Sequence, residues 1–250
     1  MYRFLFPVII LVISTFNNLD AQVVNIEKQR TDKNKAFYGN LQASLQYEDS
    51  KKVIWQNTVS SDLYLRTGRH YLMSFTSWDY ISAGKENLQD KGYEHLRYNY
   101  FIDSIFAIEA FGQYQFNDLR KIKYRSLGGL GLRLNIIAGD SLKWFTGLSA
   151  MYEERQFTYN AAGQYNWRIN LYTNLLWNIS EAAKLSGIVY FQPSVQDFSN
   201  HNIAGEAQIQ IRLIHKLSLV VNTTLTYETQ PPKDVTNFYS VVRNGIKWEF

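Results

Sequence analysis

His70, His95, His201 and His215 are the four histidines of a 250-residue chain that contains no cysteine. Nucleophilic or metal chemistry would therefore centre on them. Hydrolysis needs a nucleophile, a base within hydrogen-bond reach and a group that orients the base. Tyr93-Glu94-His95 sets an acid beside a histidine, but consecutive residues on a strand point to opposite faces. Asp197, Ser199 and His201 alternate along one polar segment, without a spacing that makes a triad. No two histidines have ligand spacing and there are no thiols, so neither a metal nor a cofactor is expected. Gly128-Gly129-Leu130-Gly131 has no helix after it to receive a phosphate. The expectation is a non-catalytic protein. A lipid- or peptide-hydrolysing site at His95 or His201 is the alternative.

The charged residues give a stronger signal, because they alternate with apolar ones. Phe37, Gly39, Leu41, Ala43, Leu45 and Tyr47 interleave with Tyr38, Asn40, Gln42, Ser44, Gln46 and Glu48. That is the period of two of a β-strand. The same pattern recurs along the chain, broken by turns near 49–52, Gly68, 117–121, Gly139-Asp140, 160–163, 193–200, His215-Lys216 and 231–234, and by a polar loop at 82–92. About twelve strands result, with ten or fourteen as alternatives. Strands of ten or more residues are long for a soluble sandwich. Both 18 tyrosines and 15 phenylalanines coexist with a slightly negative mean hydropathy, as when lipid-facing and lumen-facing residues alternate in a membrane barrel. Tyr47, Trp55, Trp144, Trp167, Trp177, Tyr227 and Trp248 lie near the ends of the apolar faces, where interfacial girdles form. The fold class expected is all-β, a closed antiparallel transmembrane β-barrel.

On this register the lumen receives Glu109, Arg125, Arg133, Glu153, Arg155, Arg168, Glu206 and Arg212, together with Glu48, Asp62, Arg66, Glu228, Arg243 and Lys247. Two arrangements are open. The acids and arginines pair across the interior and fill it, since a buried charge without a partner is costly, or they line a narrow water-filled pore. Glycines at 128, 129 and 131 mark tight curvature or close strand approach.

The two ends of the chain fit the same picture. Met1-Tyr2-Arg3 and the apolar run Phe4 to Ile13 read as a signal peptide over 1–21, cut after Ala21, followed by a periplasmic lead-in at 22–36 and the barrel at 37–250. The last strand alternates to its final residue, with Arg243, Gly245, Trp248 and Phe250 at the polar, glycine and two hydrophobic positions of the outer-membrane assembly signal. Expected partners are outer-membrane lipid, the barrel-assembly machinery, periplasmic chaperones and a small solute. The net charge is only +4 and the basic residues are scattered among acids, so nucleic acid is not expected.

Glu109-Ala110-Phe111-Gly112-Gln113-Tyr114-Gln115-Phe116-Asn117 followed by Arg125-Ser126-Leu127-Gly128-Gly129-Leu130-Gly131-Leu132-Arg133 resembles the YdiY-like family of outer-membrane proteins, a domain of unknown function (DUF 481). The segment around Ala21-Gln22 and Val24-Asn25-Ile26-Glu27 is similar to Bacteroidetes-type members. The resemblance implies an outer-membrane barrel and brings no substrate or catalytic residue. The role left is a narrow channel or solute-binding barrel, or a plugged structural or adhesion barrel using the loops at 82–92 and 193–202.

Deleting Phe250 is expected to leave the protein unassembled in the periplasm. Fractionation and heat-shifted gel mobility check this, and a normal heat-modifiable species from the truncation would remove the assembly-signal assignment.

Overall fold

The computed structural model describes residues 36–49 and 51–248. The expected signal peptide, almost all of the lead-in, and Phe250 lie outside the described residues. Twelve strands follow in order: β1 Phe37–Asp49, β2 Val53–Thr67, β3 His70–Ala83, β4 Glu86–Phe101, β5 Phe106–Asn117, β6 Ile122–Ala138, β7 Leu142–Phe157, β8 Asn160–Asn178, β9 Ala183–Pro193, β10 His201–Ile214, β11 Leu217–Glu228 and β12 Phe238–Trp248. Each pairs antiparallel with the next in one sheet of order β1 to β12. Among the described residues the ladder ends at β1 and β12, which are not paired to each other.

Two sequence-based boundaries are corrected. No polar loop occupies 82–92. β3 runs to Ala83 and β4 begins at Glu86, joined through Gly84 at φ 65°, a left-handed conformation that glycine adopts without penalty. Asn160 to Gly163 is not a turn either, since β8 starts at Asn160. In both cases a strand end without a large-apolar face opposite a polar one imitates a loop.

The antiparallel order puts Phe37 and Trp248 at the same end of the sheet. Connections at that end are short, covering 68–69, 102–105, 139–141, 179–182 and 215–216. The opposite end carries the two longest, 194–200 and 229–237. Asp103 closes one short turn by accepting from the backbone N–H groups of Ile105 and Phe106, both at 2.7 Å. Those bonds hold its carboxyl below the ordinary carboxylate range.

The faces are inverted relative to a soluble sheet. Along β7, Ser149, Met151, Glu153 and Arg155 are buried while Trp144, Leu148 and Tyr152 are exposed. The seven aromatics assigned to the girdles are all exposed on the outer face. The sheet is also strongly curved. Arg155 on β7 bonds Glu228 on β11 at 2.9 Å, although four strand spacings in a flat sheet are about 19 Å. Glycine permits this curvature locally. A Cβ on Gly131 would lie 2.3 Å from the Leu148 carbonyl oxygen on the neighbouring strand, whereas one on Gly128 would meet nothing closer than 3.7 Å.

Gly131→Ala is therefore expected to lower stability by about 1–3 kcal/mol, the usual cost of overpacking. Gly128→Ala should stay within about 0.5 kcal/mol. Midpoints of heat-induced gel mobility shift compare the two, and equal midpoints would contradict the close approach of β6 and β7.

Candidate functional site: the charged inner face

Alternation along β6, β7 and β8 directs one charged residue after another inward. Arg125 on β6 lies directly opposite Arg155 on β7, and like charges facing each other across a ladder repel. Glu153, two residues before Arg155, resolves the conflict. Its Oε1 accepts from Arg125 Nε and from Arg155 Nη2 at 3.0 Å, while its Oε2 accepts from Arg168 Nε on β8. The other side of Arg155 reaches across the interior, donating from Nη1 to Glu228 Oε2 at 2.9 Å. Arg120 donates to the remaining Glu228 oxygen at 2.7 Å. Arg168 extends the network to the 194–200 loop, donating to the carbonyls of Gln192 at 3.0 Å and Asn200 at 3.3 Å. All six side chains are buried. The result is a cross-brace of alternating charge, with each carboxylate oxygen used.

A second cluster lies nearer the short-turn end. Glu109 on β5 sits 3.8 Å from Arg97 on β4 and 3.6 Å from Arg133 on β6, and accepts from the Tyr172 hydroxyl on β8 at 2.6 Å. The Arg133 guanidinium stacks 4.2 Å over Phe145, and Arg97 lies over Phe111 and Tyr172 at 5.4 and 5.5 Å. Tyr172 takes this pose because its ring crosses Gly147, where a Cβ would approach within 2.2 Å. Beyond the cluster a wider vestibule of about 600 Å³ opens between Tyr38, Arg66, Tyr71, Phe101, Asn135 and Phe145.

Of the lumen residues expected from sequence, Glu109, Arg125, Arg133, Glu153, Arg155 and Arg168 are brought together and buried. Glu206 is half-buried on β10, and Arg212 does not join them. Arg212 is exposed at the short-turn end of β10 beside Lys184 and Ser180, where a register shift follows it. Arg243 and Gly245 are half-buried and Trp248 is exposed on β12, the face separation expected from their spacing. Sequence reasoning passed over Arg97, Arg120 and Tyr172. The Tyr93, His95, Arg97, Asn99 alternation against exposed Glu94 and Leu96 held the signal for Arg97. Arg120 had none, because it sits on a 3-10 turn at Asp118–Arg120.

The histidines are dispersed. His95 is buried inside while Glu94 is exposed outside. Ser199 donates to Asp197 at 2.7 Å, which keeps that carboxyl low, whereas the His201 ring meets the Phe198 carbonyl at 3.2 Å. These three residues do not form a relay. Among the described residues no group of three potential ligands could hold a metal ion.

A family model described as "Protein of unknown function, DUF481" matches residues 40–245. The chain belongs to the DUF481 family. No curated protein sequence matches it. Similar solved structures include the NanC porin at 10% identity, covering 84% of this chain and 100% of that one with a TM-score of 0.48. A KdgM porin in complex with disordered oligogalacturonate is 11% identical, with 83% and 98% covered and a TM-score of 0.42. The translocator domain of autotransporter NalP from Neisseria meningitidis is 10% identical, with 86% and 87% covered and a TM-score of 0.39. Within this DUF481 chain, the features that distinguish the interior are the two arginine–glutamate clusters.

Glu153→Gln should cost about 3–5 kcal/mol, because it removes the buried negative charge that three guanidinium groups share. Glu154→Gln on the outer face, where the carboxylate accepts from Tyr124 at 2.6 Å, should cost about 1 kcal/mol or less. Urea unfolding of the two variants in detergent tests the contrast.

Proposed function

We propose that the chain is a closed, twelve-stranded integral barrel of the bacterial outer membrane, non-catalytic, whose lumen is plugged toward the end opposite the short turns by the arginine–glutamate cross-brace. The observation carrying the plug is the unbroken path from Arg120 through Glu228, Arg155 and Glu153 to Arg168 across the interior. Side chains locked in mutual bonds and buried from solvent leave no continuous water column for ions.

Membrane insertion is supported by the inverted faces. Exposed Leu41, Leu130, Leu148, Trp167 and Val242 would each be unfavourable in water at about 25 cal/mol per Å² of apolar surface, and lipid removes that penalty. The strands, of 11 to 19 residues, reach or exceed the roughly 9–11 residues a tilted strand needs to cross a bilayer. An even strand number with both ends beside the short turns matches barrels whose short turns face the periplasm. Closure follows from the same solvent argument, since unpaired N–H and C=O groups along β1 and β12 would be costly in hydrocarbon. Delivery by the 1–21 signal peptide and insertion by the barrel-assembly machinery, reading Arg243 to Phe250, complete the proposal.

The vestibule favours a second reading, a solute-binding barrel open at its short-turn end, with Arg66 and Tyr71 at the wall.

Planar bilayers containing folded, heat-modifiable protein are expected to stay electrically silent. Steady ohmic current would overturn the plug. It would establish a channel, whose selectivity should then change on charge reversal at Arg133 or Arg168.

A further inference from the structure

The vestibule at the short-turn end is charged with one sign. Among the described residues, Arg66, Arg69 and Lys143 line it against a single acid, Asp103. Strand alternation turns two of the cations inward. Arg66 lies opposite buried Tyr71 on the β2–β3 ladder, and Lys143 lies two residues before buried Phe145 on β7. Arg69 follows Gly68, whose φ of 57° turns the chain between β2 and β3. Asp103 is already engaged, because its Oδ1 accepts from the backbone N–H groups of Ile105 and Phe106. No hydrogen bond or salt bridge among the described residues occupies the three cationic side chains.

Much of the remaining wall is aromatic. Tyr71 and Phe145 are buried and Tyr38 and Phe101 half-buried. These rings are held in place by their neighbours. Tyr38 stacks on Tyr64 with centroids 4.6 Å apart, and its hydroxyl lies 2.7 Å from that of Tyr71. Phe101 packs against the same buried cluster, and Phe145 lies under the Arg133 guanidinium. A cleft with charge of one sign and low-dielectric walls focuses its field and raises the local concentration of counter-charged solutes.

Size and wall chemistry narrow the class of solute. The volume of about 600 Å³ falls within the roughly 300–1,000 Å³ of small-molecule sites. An inorganic ion would meet the cations and leave the rings uncovered, and a neutral ring would do the reverse. An organic anion uses both, packing its ring on the aromatic wall while its carboxylates meet guanidinium and ammonium donors. Three cations against one acid leave two positive charges, which a dicarboxylate matches.

We propose that the vestibule binds a small ring-bearing dicarboxylate, with Arg66, Arg69 and Lys143 holding the carboxylates and Tyr38, Tyr71 and Phe101 packing on the ring. The inference rests on the solute-binding reading of the open short-turn end and is compatible with a plug deeper in the lumen. Isophthalate is the probe, titrated calorimetrically into detergent-folded, heat-modifiable protein. Saturable binding is expected, roughly ten-fold tighter than that of succinate, which has the charge without the ring, or of nicotinamide, which has a ring without the charge. Arg66→Gln combined with Lys143→Gln should weaken isophthalate by roughly ten-fold, with the protein still heat-modifiable. Equal binding of the three compounds, or unchanged binding by the double variant, overturns the assignment. A second measurement separates the ligand from the open vestibule. The natural chain has no cysteine, so Leu176→Cys places a lone thiol at a half-buried position of the same wall. A water-soluble thiol reagent should label it, and isophthalate should protect it. Labelling without protection overturns the ligand class and leaves the open vestibule standing, whereas failure to label overturns both.

Discussion

Glu153 is the point on which the interior depends. A carboxylate out of water is tolerated only when its charge is met and its lone pairs are used, and three guanidinium groups from β6, β7 and β8 do both. The converse also holds. Arg125 and Arg155 face each other across the β6–β7 ladder, so without Glu153 the register that pairs these strands would place two cations together. Strand register and charge pairing are therefore one constraint, and shifting either strand by one residue would turn the charged set to the apolar outer face.

Curvature follows from the same requirement. Glu228 and Arg120 complete the brace only because the sheet bends enough for β11 to meet β7. Small residues on β6 and β7 permit that bend. Gly131 lets the neighbouring β7 backbone approach, and Gly147 gives room for the Tyr172 ring whose hydroxyl reaches Glu109. Glycine here acts by absence of a side chain rather than by unusual φ, and the tyrosine that occupies the space links the second cluster to β8.

Much of this was legible from the alternation of residues. The twelve strands, the outward aromatics and six of the eight principal lumen charges all follow from period two, because each strand has an apolar face opposite a polar one. The reading failed where that contrast is lost. Lys85 to Lys91 is polar on both faces apart from Leu88, and Asn160 to Gly163 has only small or polar residues, so neither shows an apolar face against a polar one and both read as loops. Arg212 keeps the correct parity on β10 but lies at the strand end, past the buried zone. Arg120 belongs to a turn, where no periodicity operates, and its pairing with a residue 108 positions away is a product of curvature that no local pattern records.

The most direct test of a filled lumen behind a lipid-facing wall is site-directed spin labelling of β7. The natural chain has no cysteine, so single cysteines at positions 148 through 152 can each be labelled in bilayer-embedded protein, and accessibility to oxygen and to a water-soluble nickel complex measured. Labels at 148, 150 and 152 should collide with oxygen, while those at 149 and 151 should be shielded from both agents. Strong nickel collision at 149 and 151 would mean a water-filled lumen and contradict the plug. Loss of alternation would contradict the barrel wall itself.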